Sequence, residues 1–534
     1  MSDRATTDGD RTDAGATDDG AGLAATLRGF ARTPTTALLV VAVAASVVGR
    51  FFVRSPLWLD EALSVNISKL PLGDIAGALK HDGHPPLYYF LLHGWMALFG
   101  DGDHAVRALS GVISLATLPL AYLVGRRIAG RRLGVTLALV FAMSPYAFRY
   151  GSETRMYALL MAEVFAGYLL LSSAVESPKA RTLGGISVVT GLLLWTHYWS
   201  MWLLAAIGVL TLARLVWARR SGDSATASGS AKIAGALVVG GLTFVPWLPT
   251  LLYQNQHTGT PWAPSFRITT LVVTSITEFA GGPYSEAQLG VLLLTVLVTI
   301  GIFGSAIDQR RIELDFFAHR LARRPLAVLA LTIVIASAVG MLNGMAFSPR
   351  YAAVYFPFFL ILVALGLQQF TGGPVRDVVL VGFAVLSLAG MFFVVRLDRT
   401  QARNAAAVIA QAAPDGVVVT CPDQLGPSVA RELDRDRYDV STYPRFAAPE
   451  LVDWVDYKQR NAANDPVAFA QELLRRAEGR PLFVVYRDDF LTLKGQCQRV
   501  VETLSGVRPP RTIQQESGED FYEPMTVTEF GPPR

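Results

Sequence analysis

The chain has 534 residues, of which 51% are hydrophobic and 17% are charged, and its mean hydropathy is +0.37. This composition excludes an ordinary soluble protein, because apolar runs of ~20 residues, the length that a helix needs to cross a bilayer, recur through the first ~400 residues. The net charge of +4 is small and comes mainly from arginine-rich loops. It therefore indicates membrane orientation rather than binding of nucleic acid.

The chain begins with a stretch that is rich in Asp, Gly, Ala and Thr and holds few large apolar side chains. Such a stretch cannot bury enough surface to fold, so we predict a disordered cytoplasmic leader over residues 1–30. A signal peptide is not expected, because charges of both signs precede a late apolar run. A membrane core should follow over residues 31–399, and a C-terminal domain over residues 400–534.

The first apolar run, residues 36–53, is followed by a mixed polar loop over residues 54–104. Two adjacent carboxylates, Asp60 and Glu61, stand near the start of this loop, at the predicted membrane surface. Ionisable groups this close to hydrocarbon are costly unless they are hydrated, paired or used in function. The pair therefore marks a catalytic site, and the alternative is a hydrated pair that caps an interfacial helix after Trp58.

Residues 87–99 form an aromatic, apolar segment that is short for a membrane span. A helix lying at the interface suits this segment, since aromatic rings prefer the membrane–water boundary, and the alternative is a short second span. If the segment crossed the bilayer, nearly all of the loop arginines would lie outside. If it does not cross, they lie inside, as the positive-inside rule requires, so we predict an interfacial helix.

This choice gives a polytopic helical membrane protein with about eleven spans, its N-terminus inside and its C-terminal domain outside. The predicted spans are 36–53, 105–124, 133–149, 156–173, 183–198, 200–217, 233–250, 287–306, 326–345, 351–369 and 376–396. The inner connections then hold most of the arginines and lysines, including the run at 126–132. The outer connections after the first loop hold only Arg149, Arg155, Arg267 and Arg350.

The last part of the chain has the composition of a soluble domain and alternates between helix and strand patterns. Helices are predicted at 402–413 and 467–477, and strands at 416–420 and 482–486. These patterns indicate a small extracytoplasmic α/β domain. Its two cysteines, Cys421 and Cys497, would form a disulfide worth ~4 kcal/mol if the domain faces outward, but two unpaired core cysteines fit the spacing equally well.

The predicted topology brings many polar residues to outer helix ends and outer loops. They are Asp60, Glu61, His81, Asp82, His84, Arg149, Glu153, Arg155, Tyr157, His197, Tyr198 and Arg350. The topology was chosen on the inner arginines alone, so this convergence is partly independent support for it. A polar cluster at the outer leaflet boundary suits a substrate with its lipid tail in the bilayer and its polar head in water.

Several short motifs in the core occur in the order found in a known class of enzymes. They are Leu59-Asp60-Glu61, His84-Pro85-Pro86-Leu87-Tyr88-Tyr89, Arg107 before Gly125-Arg126-Arg127, Glu153-Thr154-Arg155-Met156-Tyr157 and Ser348-Pro349-Arg350-Tyr351. Together they resemble the GT-C membrane glycosyltransferases, and within these family 39, which holds protein O-mannosyltransferases and bacterial lipid A aminoarabinose transferases. The resemblance covers roughly residues 36–400, and the C-terminal domain lies outside it.

The resemblance implies transfer of a sugar, mannose or a pentose, from a polyprenyl phosphate to an acceptor hydroxyl on the outer face of the cell membrane. The acceptor is a protein Ser/Thr, a glycan or a glycolipid. The resemblance makes Asp60 the general base, with Glu61 in support. The residues fit this chemistry, because an attacking alcohol needs a carboxylate as proton acceptor and a leaving phosphate needs the planar donors of an arginine. One base without a second catalytic carboxylate predicts inversion.

The remaining candidates are assigned to substrate binding. They are His81, His84, Glu153, Arg155, Tyr157, His197, Arg350 and Tyr351. Arg350 is the candidate for the lipid phosphate, against an ordinary snorkelling arginine. Glu153 and Arg155 orient the sugar or only each other, and His197 is more typical of an aromatic-belt neighbour than of a catalyst.

A metal cofactor is not expected, although His81 and His84 flank Asp82 at a suggestive spacing, because nothing supplies a third and fourth ligand. The alternative function is a transporter or flippase of lipid-linked saccharides. Such proteins carry ionisable residues at the bilayer midplane and often show inverted repeats. Here the spans hold few charges, which favours the enzyme. A structural assembly protein that recruits partners through its C-terminal domain is a third alternative.

Overall fold

The computed structural model describes residues 34–258, 266–283, 287–344, 346–487 and 492–531. The predicted leader over residues 1–30 lies outside the described residues. The helices of the core are α1 Pro34–Gly49, α2 Leu59–Lys69, α3 Leu72–Asp82, α4 Leu87–Phe99, α5 Asp103–Met143, α6 Pro145–Gly151, α7 Tyr157–Glu176, α8 Ala180–Thr196, α9 Ser200–Arg220, α10 Ser224–Leu242, α11 Leu248–His257, α12 Ile268–Phe279, α13 Ala287–Phe303, α14 Arg323–Asn343, α15 Phe356–Gln368 and α16 Gly373–Arg396. Two short strands, β1 Gly304–Ala306 and β2 Ile312–Leu314, pair between α13 and α14.

Each predicted span overlaps a helix, and the segment assigned to the interface is the short helix α4. Among the described residues, six helices are by themselves long and apolar enough to cross a membrane, namely α5, α7, α9, α10, α14 and α16. The prediction of a polytopic helical fold with a C-terminal α/β domain is confirmed. Some predicted bounds are wrong. The span predicted over 233–250 corresponds to α10, which starts nine residues earlier, at Ser224. This helix ends before Pro246, because proline interrupts helical hydrogen bonding.

Helix α5 contains two predicted spans, because it folds back on itself at Ala129 and Gly130. Gly130 has φ +79°, a conformation that L residues with side chains rarely adopt. The two halves then pack so closely that a Cβ on Gly125 would lie 2.7 Å from the Cα of Gly134. The second predicted span, 133–149, ends earlier than expected, because α5 ends at Met143 and a separate helix, α6, begins at Pro145.

Helix α15 lies at the centre of the core, and all of its residues from Phe356 to Leu367 are buried. The sequence of α15 is apolar on every side of the helix, and such a helix is stable only when protein or lipid surrounds it. It packs against α13 at a close contact of two backbones. A Cβ on Gly301 would lie 2.1 Å from the Leu362 carbonyl oxygen, and one on Gly366 would lie 2.0 Å from that of Leu297.

The C-terminal domain has one five-stranded sheet between two layers of helices. Its elements are β3 Asp398–Thr400, α17 Ala402–Ala412, β4 Gly416–Cys421, α18 Gly426–Glu432, β5 Tyr438–Thr442, α19 Tyr457–Ala462, α20 Pro466–Ala477, β6 Leu482–Tyr486, α21 Gln496–Ser505, β7 Pro510–Gln514, β8 Phe521–Glu523 and β9 Thr526–Phe530. The strand order is β5-β4-β6-β9-β7, with β5, β4 and β6 parallel and β9 antiparallel to both neighbours.

Alternate residues of β4 face opposite layers of the domain, as the period of two in a strand requires. Val418 packs with α17 and α18, whereas Val417 and Val419 pack with α20 and α21. Cys421 and Cys497 are bonded to each other, so the disulfide joins β4 to α21. Of the two alternatives that the sequence left open, the structure has the bonded one.

The C-terminal domain lies directly on the loop between α1 and α5. Strand β3 follows α16 after one residue and pairs with β8. The Arg431 Nε donates to Asp103 at 2.9 Å, and the Asn66 amide donates to the Glu450 carbonyl at 2.8 Å. These contacts hold the domain against the loop that carries Asp60 and Glu61.

Candidate active site

The two carboxylates at the start of α2 point in different directions. They occupy the first turn of the helix, where negative charge is favoured by the helix dipole. Successive residues of an α-helix are rotated by about 100°. As a result, Asp60 faces an open cavity, whereas Glu61 faces the protein interior and is fully buried.

Asp60 forms an ion pair with Arg350 inside this cavity. The Arg350 Nη1 donates to Asp60 Oδ2 at 2.6 Å, and about 15% of each side chain is exposed. Arg350 is placed by a short 3₁₀ turn, Pro349–Val354, and its guanidinium lies 5.8 Å from the rings of Trp58 and Tyr351. The structure therefore brings the predicted base and the predicted phosphate ligand into direct contact.

Arg155 connects the start of α2 to the second polar cluster of the loop. Its Nη1 donates to the Ser64 hydroxyl at 2.9 Å and to the Asp60 carbonyl at 3.4 Å. Its Nη2 lies 2.9 Å from His84 Nε2, and His84 Nδ1 lies 2.8 Å from Asp82 Oδ2. Because arginine only donates, His84 Nε2 accepts and Nδ1 carries the hydrogen that is donated to Asp82.

Asp82 is the buried carboxylate at the end of this series of hydrogen bonds. Burial by itself would raise its pKa, but His84 and then Arg155 lower the pKa of Asp82 below its ordinary value. The Tyr89 hydroxyl also donates to Asp82 Oδ2, at 3.1 Å. Asp82, His84 and Arg155 thus form an ordered series of hydrogen bonds that ends at the backbone of Asp60.

The cavity has a volume of about 410 Å³, within the range of small-molecule sites. Its polar lining includes Asp60, Asp82, His84, Arg155, His197, Gln254 and Arg350. Its apolar and aromatic lining includes Leu63, Trp199, Met201, Trp202, Leu251, Leu252, Val339 and Trp454. A cavity lined by both kinds of side chain fits a ligand with a charged or hydroxylated part and an apolar part.

Several other predicted residues lie at or near the cavity. His197 and Tyr351 line it with their rings 5.3 Å apart, and His197 Nδ1 accepts from the Trp199 amide at 3.1 Å. Tyr157 is buried behind His197, with the two rings 5.7 Å apart.

Two predicted residues lie elsewhere. Glu153 is buried, and its Oε2 accepts from Arg149 at 3.2 Å, so its ion-pair partner is Arg149 rather than Arg155. His81 is exposed and lies 2.9 Å from Asp453 of the C-terminal domain, rather than in the cavity lining. Neither side chain contacts the cavity in its present arrangement.

Glu61 is held by two arginines in a buried cluster. Arg107 donates to both carboxylate oxygens, at 2.8 and 2.6 Å, and Arg399 donates to Oε1 at 2.8 Å. The Thr154 amide adds a bond of 3.0 Å. Burial opposes ionisation, but the two arginines outweigh it and lower the pKa of Glu61 to about 2. Glu61 therefore positions the start of α2, and it does so without facing the cavity.

Sequence reasoning missed the part that the C-terminal domain plays in this site. Arg399 pairs with Glu61, the Tyr522 ring packs edge-on against Trp58 at 5.1 Å, and Glu523 Oε1 accepts from the Leu59 amide at 3.3 Å. The only local signal was Arg399 itself, a charged residue immediately after the last span. The other contacts join parts of the chain more than 400 residues apart.

Glu523→Gln is expected to stabilise the protein at neutral pH. Burial raises the pKa of Glu523 from 4.5 to about 7. The unfolded chain therefore ionises first, so this residue's contribution to stability falls as pH rises from 4.5 to about 7 and stays low above it. Glutamine keeps the acceptor for the Leu59 amide and should gain on the order of 2–3 kcal/mol at pH 8. Thermal unfolding between pH 4.5 and 8 measures this.

The control for this prediction is Glu519→Gln, which changes an exposed glutamate just before β8. It should leave the pH dependence of the melting temperature unchanged. If the melting temperature of Glu523→Gln equalled that of the wild type at every pH, burial of the charged Glu523 would cost no stability. If the variant were less stable than the wild type above pH 7, the charge would be favourable in the folded protein. Either result would contradict the prediction.

Comparisons with known proteins agree with this architecture. A family model described as dolichyl-phosphate-mannose-protein mannosyltransferase matches residues 83–248. The crystal structure of ArnT from Cupriavidus metallidurans bound to undecaprenyl phosphate aligns with a TM-score of 0.58 at 14% identity, over 92% of this chain and 98% of that chain. The apo state of the same protein gives 0.56 and 13%, over 93% and 98%. A search of curated proteins finds no match.

A third structure, the S. cerevisiae protein O-mannosyltransferase Pmt1-Pmt2 complex bound to the sugar donor, aligns at 16% identity over 44% of this chain and 39% of that chain. The TM-score of this alignment is 0.32. The ArnT alignments define the class: the chain has the fold of the GT-C membrane glycosyltransferases, as predicted. The chain is a multi-pass membrane protein of that fold, similar to ArnT over most of its length and to the mannosyltransferase family model in the region that contains His84 and Arg155.

The likeness also corrects one expectation from the sequence. We expected the resemblance to end near residue 400, with the C-terminal domain outside it. Residues 1–399 make up about three quarters of the chain, so an alignment over 92% of the residues continues into the C-terminal domain.

Proposed function

We propose that this protein is an inverting glycosyltransferase that moves a sugar, mannose or a pentose, from a polyprenyl-phosphate donor to an acceptor hydroxyl on the outer face of the membrane. The observation that carries the proposal is the ion pair of Asp60 and Arg350 in a cavity that is lined by both polar and apolar side chains. The family model and the ArnT structure, which was solved with undecaprenyl phosphate, support the same class of donor.

In this proposal, binding of the donor releases Asp60, the base that later takes the proton of the acceptor hydroxyl. Asp60 and Arg350 bind each other in the unliganded site. A phosphate group competes with the carboxylate for the planar donors of Arg350. When Arg350 binds the donor phosphate, Asp60 loses its partner and becomes available as a proton acceptor. The site can therefore catalyse the reaction only after the donor has bound. This order protects the site from unproductive proton transfer.

The chemical step is a single displacement at the anomeric carbon. The acceptor hydroxyl gives its proton to Asp60, and its oxygen forms the new bond to the anomeric carbon. The bond from that carbon to the phosphate oxygen breaks, and the polyprenyl phosphate leaves with the bonding electrons, stabilised by Arg350. Attack opposite the leaving group inverts the anomeric configuration. No metal is assigned a role in this step.

Four cavity residues around this pair are assigned to the sugar. Arg155 is held by His84 and Ser64, so its guanidinium is oriented before substrate arrives. His197 and Tyr351 form an adjoining wall. His84 completes the set through its bond to Asp82. Preorganised donors of this kind lower the barrier because they need no rearrangement during the reaction.

The proposed orientation places the N-terminus in the cytoplasm and the C-terminal domain outside the cell membrane. The arginine-rich loops support this orientation through the positive-inside rule. The Cys421–Cys497 disulfide supports it independently, since such bonds persist in oxidising compartments.

The proposal is tested with radiolabelled polyprenyl-phosphate sugars and membranes that contain the protein. Label should move from the lipid donor to a second product with either a mannosyl or a pentosyl donor, and the new glycosidic bond should have the opposite anomeric configuration. Movement of intact lipid-linked sugar between leaflets, without any new product, would instead support the transporter alternative.

The C-terminal domain is proposed to form the acceptor side of the site. A loop over residues 450–456 holds Trp454 in the cavity lining. The Trp454 amide donates to the His81 carbonyl at 3.1 Å, and the Asp456 amide donates to the His257 carbonyl at 2.7 Å. The side chains of His81 and His257 also pair with aspartates of this loop, at 2.9 and 3.0 Å. The core therefore fixes the loop at four points.

Trp454→Ala is expected to impair the acceptor without impairing the donor. Loss of an aromatic wall worth about 1–1.5 kcal/mol should lower transfer to membrane acceptors about tenfold at limiting acceptor. Stabilisation of the protein by undecaprenyl phosphate, measured as a rise in melting temperature, should stay as in the wild type.

The control is Leu451→Ala, because Leu451 belongs to the same loop but is exposed. It should leave both transfer and lipid stabilisation unchanged. Equal loss of transfer and of lipid stabilisation in Trp454→Ala would place Trp454 on the donor side and contradict the acceptor assignment.

A further inference from the structure

The core contains a second large cavity, with a volume of about 470 Å³, at the arginine-rich end of the bundle. We name it the inner cavity. Helices α7, α8, α9, α10 and α14 surround it, and its walls are mainly aliphatic, for example Leu171, Ile186, Leu193, Ile207, Leu237 and Val328. The proposed reaction makes no use of it.

The inner cavity is separate from the active-site cavity but shares helices with it. On α9, Met201 and Trp202 line the active-site cavity, whereas Leu203 and Leu204 line the inner cavity. On α14, Val339 lines the first and Val328 the second. A ligand in the inner cavity therefore packs against the same helices that position the active site.

Three arginines give one end of the inner cavity a positive charge. They are Arg214 on α9, which is half-buried, and Arg323 and Arg324, which begin α14. A nearby carboxylate, Glu176, is already paired with Arg127 at 2.6 Å. Arginine presents planar donors that match the geometry of a phosphate group.

A buried hydroxyl provides a second, independent sign of a ligand. Ser230 is 2% exposed and lines the inner cavity. Its Oγ has no hydrogen-bond partner among the described residues. Buried hydroxyls are almost always hydrogen-bonded in folded proteins, so an unpartnered one beside a cavity points to a polar group of something that fills it.

We propose that the inner cavity binds an anionic phospholipid of the leaflet that the arginines face. Its acyl chains fill the aliphatic walls, and its phosphate lies on Arg214, Arg323 and Arg324. The ester region reaches Ser230. This site is distinct from the donor site at Arg350, and it does not depend on which sugar the enzyme transfers. The bound lipid stabilises the helices that carry the active site.

The experiment is native mass spectrometry of the full-length protein with dioleoyl phosphatidylglycerol or dioleoyl phosphatidylcholine added in detergent. The wild type should retain phosphatidylglycerol and gain thermal stability from it, whereas phosphatidylcholine should do neither. Arg323→Gln with Arg324→Gln should weaken retention of phosphatidylglycerol about tenfold, since each arginine near a lipid headgroup favours the anionic lipid.

The matched control is Arg219→Gln with Arg220→Gln, which removes the same charge from the last turn of α9. Both residues are exposed and lie outside the inner cavity lining. This variant should retain phosphatidylglycerol as the wild type does. An equal loss in both double variants would show attraction to a general positive surface and overturn the site.

A second variant tests the cavity itself. Ser230→Leu leaves the charge unchanged and fills the space, so it should reduce retention of phosphatidylglycerol while the folded protein keeps its active-site stabilisation by undecaprenyl phosphate. Unchanged retention in Ser230→Leu overturns the proposal. So does displacement of phosphatidylglycerol by undecaprenyl phosphate, which would make the inner cavity part of the donor site.

Discussion

Asp60→Asn is expected to lower sugar transfer by about 10²–10⁴-fold, the usual contribution of a general base. Asparagine has nearly the shape of aspartate and still offers an oxygen to Arg350, so the fold should be preserved. It does not accept the proton of an attacking alcohol. Donor affinity should be higher than that of the wild type, because the phosphate no longer competes with a carboxylate for Arg350. Transfer from a labelled donor, at matched expression, measures the first effect.

The control is Asp74→Asn, which changes an exposed aspartate of α3 in the same loop between α1 and α5. It removes the same charge from the same face of the protein and should retain full transfer. Equal transfer by the wild type and Asp60→Asn would remove Asp60 from the chemistry. Loss of donor affinity together with loss of transfer would mean that the Asp60–Arg350 pair maintains the pocket and does not act as a base.

The affinity for undecaprenyl phosphate separates the two steps of the proposed mechanism, which are donor binding at Arg350 and proton transfer to Asp60. A rise in melting temperature with added undecaprenyl phosphate reports binding without any chemistry. If Asp60→Asn binds the lipid phosphate more tightly than the wild type, then the ion pair seen in the structure competes with the donor. Unchanged affinity would mean that Arg350 binds the phosphate and Asp60 together.

The secondary structure of the core was predictable because its signals are local. A run of apolar residues with few charges indicates a span wherever it occurs. The short helix Leu87–Phe99 was assigned to the interface from the distribution of arginines along the whole chain, and this assignment stays a prediction. The errors were at breaks, such as the one after Met143, where a proline two residues later starts a separate helix.

The candidate site was predictable only in part. Topology placed Asp60 and Arg350 on the same side, and the structure joins them. The residue pattern alone could not distinguish Asp60 from Glu61, because adjacent residues differ only in the direction that the packed helix gives them. Only the resemblance named Asp60 as the base. The residue pattern also could not supply Arg399 or Trp454, since their contacts depend on how a separate domain docks. Such long-range pairings leave no pattern in a single sequence.

Glu61→Gln is expected to destabilise the protein severely, by about 3–5 kcal/mol, the usual cost of removing one partner from a buried ion pair. The substitution leaves Arg107 and Arg399 buried with no carboxylate between them. The charge of Glu61 contributes stability above pH 4.5, the ordinary pKa, and this contribution is lost as pH falls toward the folded pKa of about 2. Expression level and melting temperature measure the effect.

The double variant Glu61→Gln with Arg399→Gln distinguishes positioning from catalysis. If the cost of Glu61→Gln arises from unpaired arginines, removing one of them should restore part of the lost melting temperature. The rescued protein should then transfer sugar at a substantial rate per folded molecule, because Asp60 is intact. Recovery of stability without recovery of transfer would show that Glu61 takes part in the chemistry, despite its burial. Transfer that returns together with stability assigns the reaction to Asp60 and gives Glu61 the task of holding it in place.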